Sequence, residues 1–69
     1  MSRYKVNTTM EDGKDLVTLA DFAHEAAYVA AGVKEPCKVR CIEDAETRQE
    51  WTGLGIAQFI AAHLRPSSS

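Results

Sequence analysis

Two cysteines and two histidines, Cys37, Cys41, His24 and His63, are the smallest set that could hold a tetrahedral zinc ion. Cys37, Val39 and Cys41 alternate with Lys38 and Arg40, the pattern of a strand, and residues four apart in a strand stand about 13 Å apart. That exceeds the reach of a shared metal, and of a disulfide, whose Cα atoms usually sit within about 7 Å. Both thiols are therefore expected as small core residues on the inner face of one strand, unbridged. His24 and His63 fall on separate helical segments with no paired carboxylate or cysteine motif, so neither a metal nor a cofactor is expected.

Nucleophilic catalysis needs Ser, Cys or Thr beside a base held by a third group. Here the serines lie only at the termini and the cysteines in a core strand, so the chain reads as a non-enzyme. Gly53-Leu54-Gly55 could open a phosphate loop, but Gln58 stands where a third glycine would be and no Gly-Lys-Ser/Thr follows. The two glycines read as a turn before a helix.

Charge is the remaining chemistry. Glu11, Asp12 and Asp15 gather around one turn, and Glu43, Asp44, Glu46 and nearby Glu50 around a second. Asp is also a common turn residue, so either group could be a solvated tip. If the two turns point the same way, however, their carboxylates form one negative patch suited to a basic surface. Lys5, Lys38 and Arg40 read as a stripe on the outer sheet face, which Arg48 could join. The stripe lacks the interleaved aromatics of a single-strand binder, and cross-strand pairing with Glu50 would neutralise part of it. Trp51, the only tryptophan, is expected in the core.

Position along the chain must supply the elements that carry these groups. Tyr4, Val6, Thr8 and Met10 alternate with Lys5, Asn7 and Thr9 as in a half-buried strand, and Asp12-Gly13 is a strong turn signal. A short return strand is expected over 14–17. Thr18 and Asp21 form a capping pair, after which Leu19, Phe22, Ala23, Ala26, Val29, Ala30 and Val33 fall at helical spacing, with Gly32 as the C′ residue. Beyond the Lys34-Glu35-Pro36 break, Cys37 to Cys41 and Arg48 to Thr52 make a second hairpin. From about Leu54, the residues Ile56, Phe59, Ile60, His63 and Leu64 outline a second amphipathic helix, which Pro66 stops.

The predicted fold is α+β: a small single domain over 1–66, an antiparallel sheet of about four strands in the order β-β-α-β-β-α, and two helices on one face. Residues 67–69 are expected as a disordered Ser tail. Its expected core is Leu19, Phe22, Ala26, Val29, Val39, Cys41, Trp51, Ile56, Phe59, Ile60 and Leu64. The halves align at an offset of about 33 residues when small gaps are allowed, with Met10-Glu11-Asp12 over Ile42-Glu43-Asp44, Val17-Thr18 over Trp51-Thr52 and Ala20-Asp21-Phe22 over Ala57-Gln58-Phe59.

A chain of 69 residues is one domain that buries only roughly 60% of its unfolded surface, so a deep catalytic cleft is not expected. Ten acids against eight bases, a formal charge of −2, argue against free nucleic acid as partner. The start Met1-Ser2-Arg3-Tyr4 lacks the charged-then-apolar pattern expected of a secretion signal, and the uncharged run from Trp51 to Leu64 is too short and too interrupted to span a bilayer. No membrane contact is expected, and a soluble, cytoplasmic protein is. On that reading the Asn7-Thr8-Thr9 sequon is accidental.

In size, acidity, α+β pattern and absence of catalytic residues, the whole chain resembles the small phage-encoded inhibitors of the anti-CRISPR type, a group with no common motif. The resemblance implies a stoichiometric, DNA-mimicking binder that occupies the nucleic-acid-binding surface of a partner such as a CRISPR effector subunit. The residues expected to bind such a partner are Glu11, Asp12, Asp15, Glu43, Asp44, Glu46 and Glu50. The alternative is a small regulatory or assembly module that homodimerises through a sheet edge. The expected oligomeric state is a monomer or a weak homodimer.

Overall fold

The computed structural model describes residues 2–64; the helix stop expected at Pro66 and the tail at 67–69 lie outside them. Asp12-Gly13 turns the chain as its composition demands. Gly13 takes the left-handed φ of 87° that side chains resist, and its N–H donates to the Met10 carbonyl at 2.9 Å. Strand β1 (Tyr4–Thr9) thereby meets β2 (Asp15–Ala20) antiparallel, from Thr9 opposite Asp15 to Tyr4 opposite Ala20. Helix α1 (Ala23–Gly32) follows, then β3 (Lys38–Asp44), β4 (Glu50–Thr52) and α2 (Leu54–His63). The four strands form one antiparallel sheet in the order β2-β1-β3-β4, the α+β architecture that the sequence predicts.

Tyr4, Val6 and Thr8 point to the inner face, where Ala26, Ala27 and Ala30 of α1 and Phe59 of α2 cover them. Three alanines let α1 lie close to the sheet, so bulk comes from elsewhere. Val6 and Ile42 are the largest fully buried side chains, and the Phe59 ring packs 4.5 Å from Trp51 and 6.0 Å from Tyr4, centroid to centroid. Both helices thus lie on one face. Trp51, Val29, Val39, Ile56, Ile60 and Leu64 are partly buried against this core.

Several expectations are corrected. The second strand runs to Ala20 instead of ending at Val17, because pairing with β1 outweighs the helical spacing of Leu19 and Phe22. Both side chains are exposed, Leu19 on the strand and Phe22 as the extended residue that precedes α1, so neither belongs to the core. The Thr18–Asp21 pair consequently caps nothing; the Phe22 carbonyl accepts the first helical N–H groups instead. Gly32 is the last residue of α1, not a left-handed residue beyond it, and Val33 ends the helix in extended conformation.

The register of β3 is the largest correction. Asn7 faces Cys41 but Thr8 faces Val39, so Arg40 is an extra, bulged residue. The bulge reverses the side-chain alternation. Ile42 and Asp44 turn inward beside Val39, while Cys41 and Glu43 move to the outer face, where Cys41 is half-buried. Arg48, expected in β4, lies in the turn before it with a left-handed φ of 61°.

Candidate interaction surface

Strand direction decides where the carboxylates go. Because β1 pairs antiparallel with both neighbours, Thr9 lies between Asp15 and Lys38, and Tyr4 lies opposite Asp44. The turn after β1 and the turn after β3 therefore sit at opposite ends of the sheet, separated by the length of β1, roughly 17 Å. Glu11, Asp12 and Asp15 stand at one end and Glu43, Asp44, Glu46 and Glu50 at the other. The single patch drawn from the sequence does not form.

Each end also carries its own bases. At the first, Arg40 Nη1 lies 3.1 Å from Asp15 Oδ2, with Lys14 in the turn and Lys38 opposite Thr9; Lys14 N–H donates to Asp12 Oδ1 at 3.0 Å. At the second, Arg3 grips Asp44 through two parallel bonds, Nε to Oδ1 at 3.0 Å and Nη2 to Oδ2 at 2.9 Å. Asp44 is only 3% exposed and also accepts the backbone N–H groups of Glu46, at 2.9 Å, and Thr47, at 3.4 Å. Its carboxyl is held well below the usual carboxylate range, first by Arg3 and then by these N–H groups, against the opposing effect of burial. Asp44 thus organises the turn and is not free for a partner. Glu46 is mostly exposed and sits 3.5 Å from the same guanidinium.

The remaining acids share the uncovered outer face. Glu43 and Glu50 stand directly opposite each other on β3 and β4, and Lys5 of β1 faces Glu43 from the other side. Asn7 Nδ2 donates to Glu43 Oε2 and to Cys41 Sγ, both at 3.2 Å. Burial pushes the Cys41 thiol up, which the Asn7 hydrogen bond opposes and Glu43 and Glu50 reinforce, so the thiol form is favoured. Cys37 and Cys41 are free. Among the described residues no group of three His, Cys, Asp or Glu side chains is placed to hold a metal ion. No helix among them is long and apolar enough to cross a membrane. His24 stacks on Phe22 and His63 packs against Phe59, on different helices.

Leu19 and Phe22, expected in the core, belong instead to an exposed apolar surface along β2. Strand β2 is an edge: β1 covers one side, and no strand of the described residues covers the other. Its interior, Leu16-Val17-Thr18-Leu19-Ala20, has neither charge nor proline, the usual protections of an edge. Leu16 is 49% exposed, Val17 48% and Leu19 57%, and Phe22, just beyond the strand, 61%. The opposite edge, β4, is three residues long and offers little to pair with. No family model, curated protein or solved structure matches the chain.

Proposed function

We propose that the protein is a small cytoplasmic, non-enzymatic assembly module that homodimerises through the free edge of β2. The observation that carries this reading is a six-residue edge strand with an uncharged interior and three exposed large apolar side chains. Exposed strand edges offer unpaired N–H and C=O groups that another strand satisfies, and burying Leu16, Val17 and Leu19 adds a hydrophobic gain. The free thiols fit a reducing compartment. A contact made by one strand edge belongs to the small, transient class of interfaces, so a weak dimer is expected. Sedimentation equilibrium tests it. The parent should show a concentration-dependent dimer that Val17→Lys dissociates; a monomer at about millimolar concentration rejects the reading.

A second reading, inhibition of a partner by occupation of its basic, nucleic-acid-binding surface, draws on one observation. Glu43 and Glu50 are like charges placed directly opposite each other on the open face, an arrangement that works against folding and that a basic partner would relieve. Its test is capture of partners by a Glu43→Lys, Glu46→Lys, Glu50→Lys variant with Asp44 left intact. Capture equal to the parent's removes this reading.

A further inference from the structure

The hydrogen-bond phase of the sheet fixes what the β2 edge can accept. Met10 N–H donates to the Lys14 carbonyl at 2.7 Å, so Met10 and Lys14 are a bonded pair of the β1–β2 ladder. Bonded and non-bonded pairs alternate in an antiparallel ladder. Leu16, Thr18 and Ala20 therefore turn their backbone groups toward β1, while Asp15, Val17 and Leu19 turn theirs to the open edge. The other side of β1 agrees: Ala45 N–H donates to the Arg3 carbonyl at 2.8 Å, which assigns odd-numbered residues of β1 to β3 and even-numbered ones to β2. Alternation also divides the side chains: Asp15, Val17 and Leu19 on the outer face, Leu16, Thr18 and Ala20 on the helix-covered face.

We infer that the occupant of this edge is β2 of a second copy, antiparallel, with the two-fold axis passing between the two Thr18 residues. This rests on the edge-dimer reading and adds its register. A two-fold axis normal to the sheet keeps each face continuous, so only pairs on the same face can meet, and four registers overlap at three or more residues of the strand. An axis at Leu16 sets Asp15 opposite Val17 of the second copy, twice. An axis at Val17 sets Asp15 opposite Leu19 of the second copy, twice. An axis at Leu19 sets Val17 opposite Asp21, twice. An axis at Thr18 sets Val17 opposite Leu19 and Leu16 opposite Ala20, each twice, and Thr18 opposite itself. Every apolar side chain then meets an apolar one, and two threonines pair, a favourable cross-strand combination. The exposed backbone groups of Val17 and Leu19 bond each other, four hydrogen bonds in all. Asp15 and Asp21 come together only beyond the ladder, where Arg40 already neutralises Asp15 and Asp21 has left the strand. The product is an eight-stranded sheet with all four helices on one side.

In this register Thr18 is a non-bonded pair, with Cα atoms about 4.5 Å apart, close enough for a disulfide. In a Cys37→Ala, Cys41→Ala background, Thr18→Cys should cross-link two copies under mild oxidation, while Val17→Cys and Leu19→Cys should cross-link far less. Exposed positions supply an independent readout. Val17→Lys combined with Leu19→Glu creates two opposite-charge pairs across the interface and should preserve the dimer, whereas Val17→Glu combined with Leu19→Glu should raise its Kd at least about thirtyfold. A parent that remains monomeric rejects both the edge reading and the register. A dimer that Val17→Glu, Leu19→Glu dissociates, but that Val17→Lys, Leu19→Glu dissociates equally, keeps the edge and overturns the register. A dimer indifferent to both double variants overturns both.

Discussion

Among the carboxylates, Asp44 differs from its neighbours in kind. Two bonds to Arg3 and two backbone N–H groups surround it at 3% exposure, while Glu46, two residues on, shares only the flank of the same guanidinium. Asp44→Asn should lower the urea midpoint at neutral pH, and Glu46→Lys should change Tm by no more than about 2 °C. The two should also differ in acid. The folded-state pKa of Asp44 lies below its unfolded value of about 3.9, so its stabilisation is present above that value and is lost as pH falls toward the folded one. A series of urea midpoints from neutral pH down to about pH 2 should therefore fall steeply below about pH 4 in the parent and less steeply in Asp44→Asn. Parallel curves would show that Arg3 does not stabilise the carboxylate. Nothing in the linear sequence separates Asp44 from Glu43 or Glu46, since the distinction depends on Arg3, 41 positions away, arriving opposite β3.

At the scale of elements, most of the fold was legible: two hairpins, two helices and their order follow from alternation, Asp12-Gly13 and helical spacing. The start of the first helix and the register of β3 were not, each for a physical reason. Leu16 to Phe22 fits a helix as well as a strand by spacing, and only the ladder to β1 decides between them; the bulge at Arg40 leaves no mark in composition and exchanges the faces of Cys41 and Ile42. The first correction is testable by stability, with Phe59 as the core residue for comparison. Phe59→Ala, which empties the centre of a core otherwise rich in alanine, should cost about 3 kcal/mol or more in chemical denaturation. Leu19→Lys, measured at low concentration where the chain is monomeric, should change stability by no more than about 0.5 kcal/mol. Equal losses would return Leu19 to the core. In the second hairpin, Arg48 holds a left-handed φ that favours glycine, so Arg48→Gly should stabilise by about 0.5–1 kcal/mol, less if the gain in unfolded-state freedom offsets it.

For the whole molecule, the relation between its halves decides which surface can act. The order β2-β1-β3-β4 with β1 antiparallel to β3 places the two ββα units head to tail, as a two-fold axis between β1 and β3 would. Features shared by the halves then point in opposite directions, which is why two acidic turns cannot merge. Nor are they equivalent, because Glu11 and Asp12 lie in a turn whereas Glu43 and Asp44 lie in β3, so the repeat survives as element order alone. Ala20 to Phe22 and Ala57 to Phe59, aligned in the sequence, likewise fall at a strand end and inside a helix. Among the described residues, the same arrangement leaves β2 as the one long free edge. Association there buries leucine and valine, with Asp15 paired to Arg40 within each chain, so it should respond to salt unlike an acidic docking site. Exposed charge pairs are screened beyond about 10 Å at 0.1 M ionic strength, and a complex built on them weakens as salt rises. Raising NaCl from about 0.05 to 0.5 M should change the dimer Kd by less than about threefold, read by sedimentation equilibrium. A loss of an order of magnitude or more would show that carboxylates, not the β2 edge, hold the assembly together.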